Sequence, residues 1–133
     1  MSEDTVFTKI IKREVPANIV YEDESYIAFL DIFPFVKGHT MVVPKKVYER
    51  VTDMPEEEYV QLQRVVHRVA RNMKEVLGFN VGSLVYGEDV PHVHVHVFPL
   101  NSETSVLHMK GKVKYLDNEA QIYAKRLNMG VRE

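Results

Sequence analysis

His92, His94 and His96 stand at alternate positions in the run Pro91-His92-Val93-His94-Val95-His96-Val97-Phe98-Pro99. A period of two belongs to the β-strand, which turns successive side chains to opposite faces. The run therefore predicts one strand with three imidazoles on one face and Val93, Val95 and Val97 on the other. The valines read as a buried face. Burial of one face fixes the register, because a slip of one residue would exchange the two. Three titratable rings in a row are a poor way to fill a surface, so this strand is where chemistry is expected.

The chain has 133 residues, enough for one domain with its own core. The organisation expected is a core over about residues 5–100 with an extension over 101–133. A hydrophobic fraction of 45% and a charged fraction of 27% are ordinary for a globular protein. The formal net charge of −2 comes without a basic block, which argues against a broad nucleic-acid surface. A small phosphorylated ligand needs only a local site. There is no cysteine, so disulfides and thiolate metal sites are excluded. No stretch reads as a secretory signal or approaches the roughly 20 apolar residues of a membrane span. The expectation is a cytoplasmic enzyme or binding protein.

Phe7, Ile10 and Ile11 predict a short N-terminal helix that ends by Pro16. Asn18 to Tyr21 and Tyr26 to Leu30 predict two strands, and His39 to Val43 a third, stopped by Pro44. A loop with breakers Pro34 and Gly38 separates the second and third. The longest helix is expected from about Pro55 to Leu77, with its stripe on Leu62, Val66, Val69, Ala70, Met73, Val76 and Leu77. Asp53 is the expected cap, Glu56 to Glu58 suit the first turn, and Gly78 suits the exit. Val81 to Tyr86 predicts a fourth strand ahead of the histidine run. Asn101 to Gly111 reads as a polar loop, and Asp117 to Leu127 as a terminal helix with Ile122, Tyr123 and Leu127 inward. The fold class is α+β: a mainly antiparallel five-stranded sheet, one long helix, and short helices at the two ends.

A metal site is the first rival for the histidines. On a strand the Cα atoms of His92 and His96 lie about 13 Å apart at roughly 3.3 Å per residue. Two nitrogens on one zinc ion are at most about 4 Å apart, so no more than two of the three can share an ion. Glu88 and Asp89 are the nearby candidates to complete such a set, and no metal or cofactor is assigned. A second alternative is three buried, hydrogen-bonded rings; protons gathered on such a cluster would repel one another. An anionic partner spread along the strand, such as a phosphate chain, accounts for the row better.

His92-Val93-His94-Val95-His96-Val97-Phe98 resembles the His-x-His-x-His signature, with x apolar, of the histidine triad superfamily of nucleotide hydrolases and transferases. Other blocks resemble it in the same order. They are Phe7 to Ile11, Glu14 to Ala17, Val20 to Asp23, Ala28 to Pro34, Gly38-His39-Thr40, and Val42 to Lys45. The resemblance spans roughly residues 5 to 99. It implies a homodimer, a nucleoside phosphate substrate with a purine favoured, and a covalent nucleotidyl-histidine that water or another acceptor resolves. It implies His94 as nucleophile, His96 and His39 on the phosphates, and His92 in the supporting network. Asp31 would bind the ribose hydroxyls, and Phe7, Ile10, Phe29 and Ile32 would shape the slot for the base.

Elementary chemistry agrees with these roles. A neutral imidazole, with an ordinary pKa of about 6.5, is a competent nucleophile when an acceptor holds its far N–H. A carboxylate can accept both protons of a ribose diol. By themselves Asp31 also suits a turn before Pro34, and His39 a strand edge. His67 beside Arg64, Arg68 and Arg71 suits a solvated face, and His108 lies in the polar C-terminal stretch. Lys45 and Lys46 suit solvent more than phosphate.

Many relatives carry Gly-Gln-Ser or Gly-Gln-Thr before the first histidine; this chain carries Gly87-Glu88-Asp89-Val90-Pro91. A carboxylate beside a phosphate is repelled unless it turns away or keeps its proton. Asp89 is therefore the expected general acid to the leaving group. Tyr86 stands where many relatives place an asparagine, and the chain has no Trp for the Trp-Pro ending of the Hint branch. The function expected is a nucleotide hydrolase acting on dinucleoside polyphosphates or nucleoside phosphoramidates, with nucleotidyl transfer as a variant. The alternative is a nucleotide-binding module or scaffold with little turnover.

Overall fold

The computed structural model describes residues 4–87, 90–101 and 113–131. In chain order it contains α1 (Val6–Ile11), β1 (Ile19–Glu22), β2 (Tyr26–Leu30), β3 (Thr40–Pro44), α2 (Glu56–Leu77), β4 (Val81–Leu84), β5 (Val95–Pro99) and α3 (Glu119–Leu127). The strands form one sheet in the order β1-β2-β3-β5-β4, with every neighbouring pair antiparallel. This is the α+β class expected, with the five strands and three helices in place.

Alternation along the strands divides the core. Ala28, Leu30, Val42, Val95 and Val97 face α2 and α3, where Leu62, Val66, Val69 and Met73 meet them. Phe29, Ile27, Met41 and Val43 face the other way and pack under Phe7 and Ile10 of α1. His96 pairs across the ladder with Met41 and so lies on the α1 side. A Thr5–Thr8 capping box starts α1, with Thr8 N–H donating to Thr5 Oγ1 at 3.3 Å and Thr5 N–H to Thr8 Oγ1 at 2.8 Å. No helix among the described residues is long and apolar enough to cross a membrane.

Several boundaries depart from expectation for local reasons. Regular pairing begins at Val95, so His92 and His94 precede the strand. Pro91 has no N–H to give, the His92 N–H turns back to Val90 O (2.8 Å), and the Val93 N–H goes to Tyr48 O (2.8 Å). The alternation survives this: Val93 is buried with the other valines on the α2 side. With β5 starting at Val95, β4 stops at Leu84, two residues short of Tyr86. His39 stays outside β3 because its N–H bonds Val36 O and its C=O accepts from Asp31 N, each at 3.0 Å; Pro44 closes the strand from within.

Pro55, not Asp53, holds the N-cap position of α2, and Asp53 belongs to the 3-10 turn Val51–Asp53 before it. The exit at Gly78 is left-handed (φ +80°), with its N–H on Lys74 O, as a glycine C-terminus should be. In α3, Ala124 and Leu127 are buried while Ile122 is exposed. Two residues along a helix is about 200° of rotation, so Ile122 cannot share a face with Ala124. The predicted loop Asn101 to Gly111 falls, beyond Asn101, outside the described residues, as do His108, Glu88 and Asp89.

Candidate active site

The three histidines are buried, and each is oriented by a different acceptor or donor. His92 Nε2 lies 2.7 Å from Pro44 O, and His94 Nδ1 lies 2.8 Å from His92 O. A carbonyl only accepts, so His92 carries its proton on Nε2 and His94 on Nδ1. With that proton on Nδ1, the lone pair of His94 lies at Nε2, an atom that is itself buried. His92 Nδ1 is buried and has no hydrogen-bond partner among the described residues.

His39 and His96 are joined to one another. The Phe35 N–H donates to His39 Nδ1 at 3.1 Å, and His39 Nε2 lies 2.9 Å from His96 Nδ1. A backbone amide can only donate, which leaves His39 its proton on Nε2. That proton goes to His96 Nδ1, so neutral His96 bears its own N–H at Nε2. One loop amide thus sets two tautomers in series. The ring of Phe35 stacks on His39 (centroids 4.2 Å apart, 21° between planes) and leans on His96 at 5.2 Å. Burial, reinforced by the charges His96 and His94 would carry, pushes His39 down to about 3 and keeps it neutral at pH 7. Its 3.7 Å approach to Asp31 Oδ2 is accordingly no ion pair.

Beside these rings opens a cleft of about 600 Å³, lined chiefly by apolar side chains. Phe7, Ile10, Phe29, Asp31, Ile32 and His96 all line it, which brings together six of the residues singled out from the sequence. The Phe7 ring meets His94 edge-on at 5.1 Å and His92 at 5.8 Å. Ile32 is 69% exposed and sits at the mouth. Asp31 Oδ1 accepts the Phe33 N–H at 2.8 Å, the turn role that its sequence position also allowed. His94 borders a second, smaller cleft of about 210 Å³, which shares Tyr86 with the first.

Expected contacts shift in two places. His39 is fully buried and does not line the cleft; it acts on the site through His96. His92 also lies beneath the surface, tied to the end of β3 through Pro44. Asp89, expected as an acid, is outside the described residues. His67 is exposed on α2, Lys45 pairs with Glu22 at 2.8 Å, and Lys46 lies over the Tyr48 ring, so none of them joins the site.

Phe35 was not legible as a site residue from the sequence. A ring that stacks on a histidine and a main-chain amide that fixes a tautomer leave no periodic trace. The run Phe33-Pro34-Phe35 between Asp31 and His39 was the only available hint.

Asp31, His39 and His96 also bring ligand-type atoms within 4.8 Å of one another. Both nitrogens of His39 are already engaged, by Phe35 and by His96. A cation held by His39 would have to displace one of those hydrogen bonds. Taken together, Asp31 and His96 place a carboxylate and an imidazole in the apolar cleft, while His94 borders the smaller cleft that shares Tyr86 with it.

An α+β sheet protein with a buried histidine cluster beneath a ligand-sized cleft is the class these observations define. The HIT domain family matches residues 12–103. An uncharacterized HIT-like protein of Methanocaldococcus jannaschii is 43% identical over 118 residues, covering 84% of this chain and 91% of its own. An adenosine 5′-monophosphoramidase of Saccharomyces cerevisiae is 36% identical over 106 residues, covering 77% of this chain and 66% of its own. The crystal structure of a HIT-like protein from Bartonella henselae superposes with a TM-score of 0.82 at 26% identity, covering 96% of each chain. The chain belongs to the HIT domain family.

Proposed function

We propose that this protein is a nucleotide hydrolase that cleaves a nucleoside 5′-phosphoramidate or dinucleoside polyphosphate through a covalent intermediate on His94. The observation that carries the proposal is the pairing of opposite tautomers. His94 has its proton held on Nδ1 by a carbonyl, while its neighbour His96 receives on Nδ1 and so donates from Nε2. One ring can attack and the next can bind a phosphoryl oxygen.

In this reading the base, a purine by preference, lies in the apolar cleft against Phe7, Ile10, Phe29 and Ile32. Asp31 accepts from the ribose hydroxyls. The His94 Nε2 lone pair attacks the α-phosphorus and forms the P–N bond as the bond to the leaving group breaks. The leaving group departs with that electron pair and takes a proton, for which Asp89 is the proposed donor. Water then attacks the phosphorus and gives a proton to Asp89, the P–N bond breaks, and the nucleoside monophosphate leaves with His94 and Asp89 both restored. A preorganised N–H from His96 stabilises charge on the phosphoryl oxygens in both steps. The apolar cleft, of a size usual for small-molecule sites, and the monophosphoramidase relative both support an adenosine substrate.

The test is incubation of the protein with an adenosine phosphoramidate and with a dinucleoside polyphosphate, with His94→Ala alongside. Release of the monophosphate by the parent protein and its loss in the variant are expected. Nucleotide binding without turnover by the parent protein would contradict the hydrolase and favour the binding module. Loss of activity on adding a chelator would contradict a metal-independent reaction.

A further inference from the structure

The chain beyond the family's matched residues returns to the site. Tyr115 Oη accepts the Gly38 N–H at 2.9 Å. Lys37 Nζ lies 2.9 Å from Glu119 Oε2, while Glu119 Oε1 accepts the Leu116 N–H at 2.9 Å. One carboxylate therefore ties the start of α3 to Lys37. Burial pushes the Tyr115 hydroxyl up to about 12, so it stays neutral, and its ring packs on Tyr123 at 5.8 Å.

The two grips fall on adjacent residues at the closing end of the loop that carries Asp31, Phe33 and Phe35. Gly38 has φ +98°, and a Cβ there would meet Leu77 Cδ1 at 3.1 Å, so this point is closely packed as well as conformationally special. The next residue is His39, whose main chain bonds both Val36 and Asp31. A shift at Gly38 would be passed to Asp31 and to the Phe35 amide at once.

We infer that the segment 113–127 is a clamp on the loop 31–38, with Tyr115 and Glu119 as positioning residues that set affinity for the nucleoside half of the substrate. The inference rests on the nucleotide reading above for its ligand, but the clamp itself is a property of the free protein. It assigns a role to residues that lie outside the span 12–103 matched by the family.

The experiment uses the full chain with Tyr115→Phe, Glu119→Lys, and Glu119→Lys combined with Lys37→Glu. Two quantities are followed: hydrogen exchange at the Gly38 amide, and KM and kcat for an adenosine phosphoramidate. Tyr115→Phe is expected to speed Gly38 exchange and raise KM about fivefold, with kcat within about twofold, as loss of one hydrogen bond in ground-state binding predicts. Glu119→Lys is expected to raise KM, and the added Lys37→Glu to bring it back. Unchanged Gly38 exchange in Tyr115→Phe overturns the clamp, as does a double variant no better than the single. Lower thermal stability with KM unchanged overturns it too, since that is a structural role only. If the parent protein neither binds nor cleaves nucleotide, the functional reading fails, and Gly38 exchange alone decides the clamp.

Discussion

A single main-chain N–H, that of Phe35, decides which nitrogen of His39 and then of His96 bears a proton. The consequences at this scale are measurable. His39 ordinarily titrates near 6.5 but is held to about 3 here, chiefly by burial. Above pH 6.5 both folded and unfolded chains carry it neutral, and it costs nothing. Between pH 6.5 and 3 the unfolded chain takes up a proton that the folded chain refuses, so stability falls as pH falls through that window. One such proton contributes a slope of up to about 1.4 kcal/mol per pH unit. His92, also lowered by burial against the opposing effect of the Pro44 carbonyl, acts in the same direction. Denaturant unfolding from pH 7 to pH 4 should show this slope, and His39→Asn should remove part of it; identical pH dependence in the two would contradict the assignment. Asp31→Asn, which weakens the acceptor proposed for the ribose, should raise KM about tenfold with a smaller change in kcat. A KM unchanged by that substitution would remove Asp31 from the ribose site.

At the scale of elements, periodicity made most of the architecture legible. The 3.6 stripe of α2 identified Leu62, Val66, Val69 and Met73, which are buried, and Ala70, Val76 and Leu77, which are half-buried; the alternation of the histidine run identified the buried Val93, Val95 and Val97. Legibility failed where main-chain hydrogen bonds compete outside any pattern. The His92 and Val93 amides leave the ladder for Val90 and Tyr48, so a run that alternates like one strand is regular over only part of its length. Hydrophobicity predicts Ile122 inward, but the angular spacing that Ala124 and Leu127 impose turns it to solvent. Two changes separate the elements' roles. Leu62→Ala in α2, fully buried on the face away from the histidines, should cost about 2–5 kcal/mol in unfolding free energy while KM stays unchanged. Thr5→Ala breaks the capping box of α1 at about 1 kcal/mol. Because α1 carries Phe7 and Ile10 into the cleft, that variant should also raise KM, and a KM unmoved by it would detach α1 from binding.

Across the whole molecule the sheet separates two tasks. One face, under α2 and α3, holds the larger core; the other, under α1, holds the histidines and the cleft. The candidate site was legible in the sequence as residue types and order, but not as depth. His39 and Asp31 lie eight positions apart and far from His96 in the chain; the antiparallel pairing of β2 with β3 joins the first two, and that of β3 with β5 brings His96 to them. That His39 stands behind His96 follows from packing with Phe35, which no spacing encodes. The homodimer implied by the family resemblance remains a proposal. β1 and β4 are the outer strands of the described sheet, and sedimentation should give twice the chain mass; a monomer at micromolar concentration would contradict it. The central claim is the covalent step. Acid-quenched mass spectrometry during turnover of an adenosine phosphoramidate should find a nucleoside monophosphate added to the peptide that carries His94, and none in His94→Ala. Turnover with no such adduct, or an adduct that persists in His94→Ala, would contradict it.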